Sequence, residues 1–598
     1  MGVWTILAGT LFESFKLIKL YMADRVMQNI FANPVKRIFR VIRLEKNEIS
    51  SLYFYAILNG LIQLSLPLGI QSIISFVLGG SITTSLVVLI FLVVCGVFLN
   101  GMLQVNQMRL IEKVEQKLFV RYSFEFADRI PRLNLQAVDS YYLPELVNRF
   151  FDTVSLQKGI SKLLLDIPAA TIQIVFGLIL LSFYHPIFIF FGLFLLLIIS
   201  IILRLTSARG MESSLIESDY KYAVSGWLQE MARVVKSLKF SKQTTLNIER
   251  TDELVSGYLQ SRTSHFRVLL FQYWTLVGFK VLITAAMLIV GSVLLVNQQL
   301  NIGQFIAAEI VILMVITSVE KLIVNLDKVY DVLTSVEKLG KVTDKPLEED
   351  GKILLPQEQE GLSINMNHVN FNYTNENGIN RNVLTDINLS IQKNEKVCIM
   401  GRGGSGKSTL LRLLTGAYKN FDGSLLINDM PVTNYKLQSL RSQTGILFSL
   451  QDIFEGTLLE NLTMGWPDIT GQHILELAGK IGLKKYITEL PDGFNTHLYP
   501  AGKKLPQKII QKILLLRALI NHPRLVMLEE PFTGIEEEIK QQIIEYLLYE
   551  TPHQTMLVIS NDHSFASRCD TVIYLQDGHI KAMGSWDSVQ PFIKKLGA

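Results

Sequence analysis

The sequence predicts a bundle of six membrane-spanning helices followed by a soluble α/β domain. The 598 residues have a mean hydropathy of +0.31, and 49% of them are hydrophobic. The longest apolar stretches lie in the first 323 residues, and a glycine-rich run at 401–408 separates a strand-like apolar segment from a helix-like one. A chain of this length is expected to form more than one domain, so the membrane spans precede a soluble part.

The first 48 residues are predicted to form amphipathic helices in the membrane interface. Between residues 1 and 33, apolar side chains recur every three or four positions, which places them on one face of a helix. They are Val3, Leu7, Leu11, Phe15, Ile18, Met22, Val26 and Ile30. The segment lacks the positively charged start of a signal peptide. We expect this helix to lie in the cytoplasmic interface or to pack on the protein's own bundle, with a second short basic piece after it.

Six apolar stretches are long enough to cross a bilayer. They lie near 52–79, 83–107, 163–184, 187–204, 268–296 and 303–323. The short links between them contain no Lys or Arg, whereas the long links near 108–162 and 205–267 are rich in both. The positive-inside rule therefore places the long links and both termini in the cytoplasm. We predict a transmembrane domain with cytoplasmic extensions at 49–340, a linker at 341–360 and a soluble domain at 361–598.

The run at 401–408 has the pattern of a phosphate-binding loop, Gly-Arg-Gly-Gly-Ser-Gly-Lys-Ser. Its glycines let successive backbone N–H groups wrap around phosphate oxygens. Lys407 supplies a positive charge for the β and γ phosphates, and the Ser408 hydroxyl can ligate Mg²⁺. The predicted phosphate-binding residues are Gly401, Gly403, Gly404, Ser405, Gly406, Lys407, Ser408 and Thr409. The sequence therefore predicts a site for ATP with Mg²⁺.

From about Pro34 onward, the order of six spans and a nucleotide domain resembles a half-transporter of the ABC exporter family. The likeness is to the haemolysin-type exporters of type 1 secretion. In the membrane part it rests on three segments, Leu66–Gln71, Leu300–Ala307 and Ser335–Leu339. In the soluble part it rests on the loop and on Leu525–Pro531, which resembles the Walker B strand. The resemblance implies an exporter-type bundle followed by an ABC nucleotide-binding domain of the P-loop α/β class.

The same resemblance implies roles for five further residues. Tyr373 takes the position of the aromatic ring that stacks on adenine, and stacking needs only a flat ring. Glu529 places a carboxylate beside the Mg²⁺ shell with Ser408, although the family has the shorter Asp there. Glu530 takes the position of the general base that polarises the attacking water. Gln451 lies two residues after Ser449, which aligns with the glutamine of the Q-loop. Asn561 aligns with the switch histidine.

The chain departs from the family most strongly at its signature motif. Leu505-Pro506-Gln507-Lys508-Ile509 stands where the family has Leu-Ser-Gly-Gly-Gln, whose donors bind the γ-phosphate held by the opposite subunit. Pro506 has neither a hydroxyl nor an N–H group, so these contacts are lost. Glu536 replaces the D-loop Asp, and Asn561 cannot exchange a proton near neutral pH as imidazole can. Whether Gln451, Lys508 or His563 compensates is open at this stage.

The sequence leaves two functional interpretations. The first is an ABC-type transport ATPase with weak or partner-dependent hydrolysis, which exports a peptide, protein or other amphipathic substrate across a bacterial inner membrane. Its expected partners are the lipid bilayer, a second half-transporter and a periplasmic membrane-fusion adaptor. A heterodimer explains turnover better than a homodimer, since two copies would share the altered signature. The alternative is an ATP-binding pseudo-transporter that scaffolds or regulates another exporter without hydrolysis. The spans exclude a soluble DNA-repair ATPase, so no nucleic-acid partner is expected, and no residue identifies the substrate.

Overall fold

The computed structural model describes residues 34–40, 43, 45–80, 84–139, 141–241, 244–374, 380–449 and 451–595. The amphipathic helix predicted at 1–33 lies outside these residues. The chain divides into two compact units, one formed by Met1–Pro131 with Tyr142–Lys345 and the other by Arg132–Tyr141 with Pro346–Ala598. The boundary between the two units lies between Lys345 and Pro346, inside the linker predicted at 341–360. The assignment of Arg132–Tyr141 to the second unit was not predicted.

The first unit is helical and begins with a helix over residues 34–40 (α1). Its further helices are α2 (Lys46–Gln63), α3 (Ser65–Leu78), α4 (Thr84–Arg129), α6 (Leu143–Val147), α7 (Asp152–Tyr184), α8 (Ile187–Arg233), α9 (Val235–Phe240), α10 (Leu246–Val296), α11 (Ile302–Val324) and α12 (Leu326–Thr343). Among the residues that the structure describes, six helical stretches are long and apolar enough to cross a membrane, as the sequence predicted. The first of these consists of α2 and α3, which meet at Leu64.

The helices extend well beyond the predicted spans. α4, α8 and α10 have 46, 47 and 51 residues. Since about 20 helical residues cross the hydrocarbon core, roughly half of each helix lies outside it. Two glycines hold α7 and α8 close to α12. A Cβ atom at Gly159 would come within 2.3 Å of Val332, and one at Gly210 would come within 2.5 Å of the Tyr330 ring.

In the described part of the second unit, three sheets combine with helices. Its strands are β1 (Ile364–Thr374), β2 (Asn380–Ile391), β3 (Lys396–Met400), β4 (Asp422–Ile427), β5 (Met430–Pro431), β6 (Thr444–Leu447), β7 (Gly456–Thr457), β8 (His497–Leu498), β9 (Leu525–Glu529), β10 (Thr555–Ile559), β11 (Thr571–Gln576) and β12 (His579–Gly584). Its helices are α5 (Leu135–Val138), α13 (Lys407–Leu414), α14 (Leu437–Ser442), α15 (Leu458–Thr463), α16 (Gly471–Lys480), α17 (Lys484–Glu489), α18 (Gln507–Leu519), α19 (Glu537–Tyr549), α20 (His563–Ala566) and α21 (Trp586–Lys595).

A six-stranded sheet in the order β12-β11-β3-β10-β9-β6 forms the centre of the second unit. Only β12 runs antiparallel to its neighbour in this sheet. Every residue of β3, β9 and β10 is buried, as expected for parallel strands that are covered on both faces. A four-stranded antiparallel sheet in the order β2-β1-β4-β5 is separate from it. The carboxyl ends of β3, β9 and β10 lie at one edge, where ligand sites of such sheets form.

The segment Arg132–Tyr141 joins the second unit through specific bonds. The Asn134 N–H donates to the carbonyl oxygen of Pro346 at 3.0 Å. The Tyr418 hydroxyl donates to Asp139 Oδ2 at 2.9 Å. Asn134 also caps α5, since its side chain accepts from the Ala137 N–H. A helix of four residues is too short to be stable alone, so these contacts stabilise it.

Candidate nucleotide-binding site

The loop at 401–408 connects β3 to α13 at the carboxyl edge of the central sheet. Three of its glycines have positive φ angles, 147° at Gly401, 79° at Gly404 and 102° at Gly406. A Cβ atom at Gly401 would come within 2.1 Å of the Leu575 carbonyl oxygen, so only glycine fits there. This backbone path directs the amino end of α13 toward the loop interior, where the helix dipole favours an anion.

Lys407 lies at the first position of α13 and folds back over the loop. Its Nζ donates to the carbonyl oxygens of Gly401 at 2.6 Å and Arg402 at 2.8 Å. Burial lowers the pKa of the Lys407 ammonium from its usual value. The ammonium group is therefore held in the centre of the loop, where its N–H donors can turn to phosphate oxygens.

Ser408 and Glu529, the two predicted Mg²⁺ ligands, meet directly. The Ser408 hydroxyl donates to Glu529 Oε1, and the Ser449 N–H donates to Glu529 Oε2 at 3.1 Å. Glu529 ends β9 and is only 8% exposed. A hydroxyl and a carboxylate are hard oxygen donors of the kind that Mg²⁺ prefers, and such sites are completed by phosphate and water oxygens. The residues present therefore fit Mg²⁺, and the longer side chain of Glu529 reaches both Ser408 and Ser449.

Glu530, the predicted general base, follows β9 with a positive φ of 47°. Its N–H donates to the Ile559 carbonyl oxygen at 2.8 Å, so a bond to β10 holds this backbone in place. Burial raises the pKa of the Glu530 carboxyl. A cavity of about 470 Å³ lies beside it, lined among others by Gln451, Gln511 and Glu529. A left-handed conformation is unusual in a glutamate, and the bond to Ile559 stabilises it here.

Tyr373, the predicted adenine-stacking residue, lies near the carboxyl end of β1. Its ring is partly exposed and meets the rings of Phe371 and Tyr418 edge to face, with centroids 4.9 and 5.9 Å away. Its hydroxyl lies 3.4 Å from Thr409 Oγ1. Tyr373 therefore lies beside α13, within the same unit as the phosphate-binding loop.

Comparisons with known families agree with this geometry. The model described as "ABC transporter transmembrane region" matches residues 51–319, and the model described as "ABC transporter" matches residues 384–533. The chain belongs to the ABC transporters. With its six spans, this ABC transporter is a multi-pass membrane protein whose nucleotide-binding domain is cytoplasmic.

Curated relatives include proteins of toxin translocation. The alpha-hemolysin translocation ATP-binding protein of Escherichia coli O157:H7 is 28% identical over 363 residues, 60% of this chain and 50% of the relative. The toxin RTX-III translocation ATP-binding protein of Actinobacillus pleuropneumoniae is 28% identical over 354 residues, 58% of this chain and 48% of the relative. The chain thus spans about half the length of these relatives.

A solved structure shares the fold over nearly the whole chain. The bacterial Atm1-family ABC exporter with ATP bound matches with a TM-score of 0.74 and 17% identity, over 92% of this chain and 96% of that chain. At this level of identity the match concerns the fold alone. It agrees with the predicted class, a six-helix exporter bundle followed by a P-loop nucleotide-binding domain.

The remaining predicted site residues lie at different distances from the loop. The Asn561 side-chain oxygen accepts from the Gly401 N–H at 3.3 Å, which brings Asn561 to the start of the loop. Gln451 instead closes a local turn, since its N–H donates to the Phe448 carbonyl oxygen at 3.1 Å. His563 packs against the Trp586 ring, with centroids 5.2 Å apart. His563 is thus engaged with Trp586.

Ion pairs hold the segment that the sequence analysis aligns with the signature motif of ABC transporters. Pro506 is the N-cap of α18 and makes no side-chain cap bond, although Ser is a preferred residue at such a position. Lys508 Nζ lies 2.6 Å from Glu536 Oε1, and Lys512 Nζ lies 3.3 Å from Glu536 Oε2. The hydrogen bond from Lys508 is the main reason that the pKa of Glu536 falls to about 2. Lys508 is thus engaged within its own subunit.

Two partners of these residues were not found from the sequence. Gln511 donates through Nε2 to the Glu530 carbonyl oxygen at 3.1 Å, and so ties α18 to the residue predicted as the base. The pairing of Glu536 with Lys508 joins residues 28 positions apart. The sequence did offer one indication of this pair. Lys508 and Glu536 carry opposite charges, and the resemblance aligns them with an uncharged residue of the signature and with the shorter Asp of the D-loop.

Proposed function

We propose that this ABC transporter is one subunit of an exporter that moves a peptide, protein or other amphipathic substrate across a bacterial inner membrane. The toxin translocation proteins among its relatives support a peptide or protein substrate. In this proposal the subunit binds ATP with Mg²⁺ but hydrolyses it poorly by itself. A second half-transporter with an intact signature completes one usable site, and a periplasmic membrane-fusion adaptor is a further partner.

The signature segment is the observation that carries this proposal. Pro506 offers no donor to a phosphate, and Lys508 is paired with Glu536. Two copies of this chain would each present the same segment to the other copy's nucleotide. Positioned donors of this kind contribute about 10²–10³ in rate, so a homodimer would turn over slowly. In a heterodimer, the nucleotide held by this chain would meet the intact signature of the partner, so that site would keep its phosphate donors.

The loop side of the site supports continued nucleotide binding. Lys407 and Ser408 occupy the phosphate and metal positions, and Tyr373 lies beside them. Mg²⁺, when bound, would neutralise charge on the β and γ phosphates. Glu530 is half-buried and its pKa is raised, which brings a general base closer to neutral pH.

A non-hydrolysing pseudo-transporter is the second candidate, and one contact favours it. Glu529 is already bonded to the Ser408 hydroxyl and to the Ser449 N–H. Because Glu529 is longer than the Asp of the family, the carboxylate that makes these bonds can lie outside a Mg²⁺ shell. In this alternative the chain binds nucleotide and regulates or scaffolds another exporter, and no partner restores hydrolysis.

Phosphate release by reconstituted complexes separates the two candidates. Three samples are prepared in lipid nanodiscs. The first contains one copy of the full chain, the second contains two copies, and the third contains the chain with a half-transporter that has Leu-Ser-Gly-Gly-Gln. We expect at least about tenfold faster hydrolysis only in the mixed complex. As a control, the partner carries a Ser→Ala change in its signature, which should remove the gain. Nucleotide binding without hydrolysis in every combination would favour the pseudo-transporter.

A further inference from the structure

A polar cavity of about 140 Å³ lies in the first unit, bounded by α7, α8 and α12. All nine side chains that line it are polar or charged. Three are carboxylates, Asp152, Glu217 and Asp331, one is Lys221, and the other five are Ser or Thr. By the predicted topology these residues lie in the cytoplasmic extensions of the spans. The lining comes from the first unit alone, and the predicted topology places it on the cytoplasmic side.

Helical spacing explains why these side chains face one space. On α8, Ser214, Glu217, Ser218 and Lys221 are three or four residues apart, and so they share a face. On α12, Asp331, Thr334 and Ser335 do the same. The Ser214 and Thr334 hydroxyls meet at 2.8 Å, which joins the two faces at one end. A polar space inside a helix bundle is costly unless its groups are hydrogen-bonded.

Two buried groups line the cavity, and one of them has no hydrogen-bond partner in the described part of the chain. Asp152 is 3% exposed, and its carboxylate accepts from the Tyr222 hydroxyl at 2.7 Å and from Lys221 Nζ at 3.2 Å. Ser218 is 6% exposed, and its hydroxyl has no hydrogen-bond partner within the described part of the chain. A buried hydroxyl without a partner costs about 1–3 kcal/mol, so a bound donor or acceptor would stabilise it.

The lining favours a cation with N–H donors. Glu217 and Asp331 are paired with cations outside the cavity, so Asp152, whose partner Lys221 is part of the lining, is the acid that can take up a cation. Among the residues that the structure describes, no group of three or more His, Cys, Asp or Glu could hold a metal ion. Carboxylate and hydroxyl oxygens accept N–H bonds, and the chain's own Lys221 ammonium already uses Asp152 in this way. Lys221 is half exposed, with 51% of its side chain accessible, so it can turn outward into water.

We infer that this cavity binds the primary ammonium group of a small aliphatic amine between Asp152 and the hydroxyls of α8 and α12. A volume of 140 Å³ accommodates such a group, since one water needs only about 10–15 Å³ on the same measure. The ammonium would take the place of Lys221 at Asp152 and donate to Ser218. Glu217 and Asp331 lie on the cavity wall, paired with Arg262 at 3.0 Å and Lys328 at 2.8 Å.

Thermal unfolding of the full chain in nanodiscs tests this site with n-butylammonium chloride. Ionic strength is held constant with tetramethylammonium chloride, which has the same charge and no N–H donor. We expect a saturable rise of the unfolding midpoint with butylammonium only. Asp152→Asn keeps the shape and removes the charge, so the half-saturating concentration should rise at least about tenfold.

Ser218→Ala keeps every ion pair and removes only the unpartnered hydroxyl, so it decides the outcome if Asp152→Asn fails to fold. We expect the half-saturating concentration to rise severalfold. Glu212→Gln is the matched control, because Glu212 is an exposed acid on α8 outside the cavity, and it should bind as the wild type does. An equal response to tetramethylammonium, a response to sodium or potassium instead, or unchanged binding in Asp152→Asn and Ser218→Ala would overturn the assignment. ATP binding, measured in parallel, reports the nucleotide site separately.

Discussion

The phosphate-binding loop and the signature segment belong to the same unit but differ in chemistry. In the loop, glycine φ angles, a buried lysine and a hydroxyl beside a carboxylate converge at one sheet edge. The segment proposed as the signature contains Pro506, Gln507 and Lys508, and Lys508 is bonded to Glu536. The first region can bind a nucleotide within one subunit, whereas the second would serve the nucleotide of another. In the proposed function, binding and turnover therefore depend on different residues and can be lost separately.

Restoring the signature should have the largest effect on this contrast. The variant combines Pro506→Ser, Gln507→Gly, Lys508→Gly and Ile509→Gln. Because each restored donor at a γ-phosphate is worth about 10²–10³ in rate, we expect ATP hydrolysis by the chain alone to rise about 10²-fold. Pro506→Ala is the control, since it brings an N–H but no hydroxyl. No gain in phosphate release would mean that Glu529 or Asn561 also limits turnover.

Lys407→Ala should have the next largest effect, and on binding rather than turnover. The change removes a charge-assisted phosphate contact worth about 1.5–3 kcal/mol, or about ten- to hundredfold in affinity. Binding of a fluorescent ATP analogue measures this loss. Lys581→Ala, which alters an exposed lysine of β12, is the matched control and should bind as the wild type does. Equal affinity in both variants would show that the loop no longer holds phosphate.

Glu529→Gln should separate metal binding from phosphate binding. Glutamine keeps the length of the side chain but removes its charge, so the carboxylate is lost to Mg²⁺. Mg²⁺ is expected to increase the affinity for ATP. In the variant, the Mg²⁺ concentration that gives half of this increase should be about tenfold higher. ATP affinity without Mg²⁺ should stay within about twofold of the wild type. An unchanged Mg²⁺ response would remove Glu529 from the metal site.

Glu536→Gln should have the smallest effect, a slight loss of stability above pH 4.5 that disappears as the pH falls toward 2. The pKa of Glu536 is lowered from 4.5 to about 2 in the folded protein, mainly by Lys508. The ion pair stabilises the folded protein fully at pH values above 4.5, the usual pKa of a Glu carboxyl, and this stabilisation is lost as the pH falls toward 2. Glu536 is exposed, so the wild-type midpoint should fall only slightly more than that of the variant between pH 4.5 and pH 2. Unfolding midpoints across this range test the ion pair, and identical curves would contradict it.

Local patterns predicted more of the fold than of the contacts within the site. The six spans and the loop at 401–408 depend on apolar runs and glycine spacing, which are visible in any short window. The helix lengths were not predicted, because α4, α8 and α10 become polar where they leave the hydrocarbon core. The resemblance, in turn, supplied positions for Glu529 and Asn561 but not their bonds to Ser408 and to the Gly401 N–H.

Long-range pairs were beyond the sequence for a physical reason. Asp139 and Tyr418 are 279 residues apart, and only the folded chain joins the segment Arg132–Tyr141 to the second unit. The cavity near Asp152 likewise depends on how closely α7, α8 and α12 pack, which Gly159 and Gly210 permit. A polar stripe on one helix is typical of a face exposed to water. Periodicity alone therefore cannot distinguish such a face from the wall of a polar cavity.

Steady-state ATP hydrolysis by the wild-type chain alone tests the central claim most directly. Phosphate release is measured in nanodiscs with saturating Mg-ATP, beside Glu530→Gln and the restored signature. We predict a wild-type rate at least about tenfold below that of the restored variant and within about twofold of Glu530→Gln. Brisk hydrolysis by the wild-type chain, abolished by Glu530→Gln, would contradict the separation of binding from turnover.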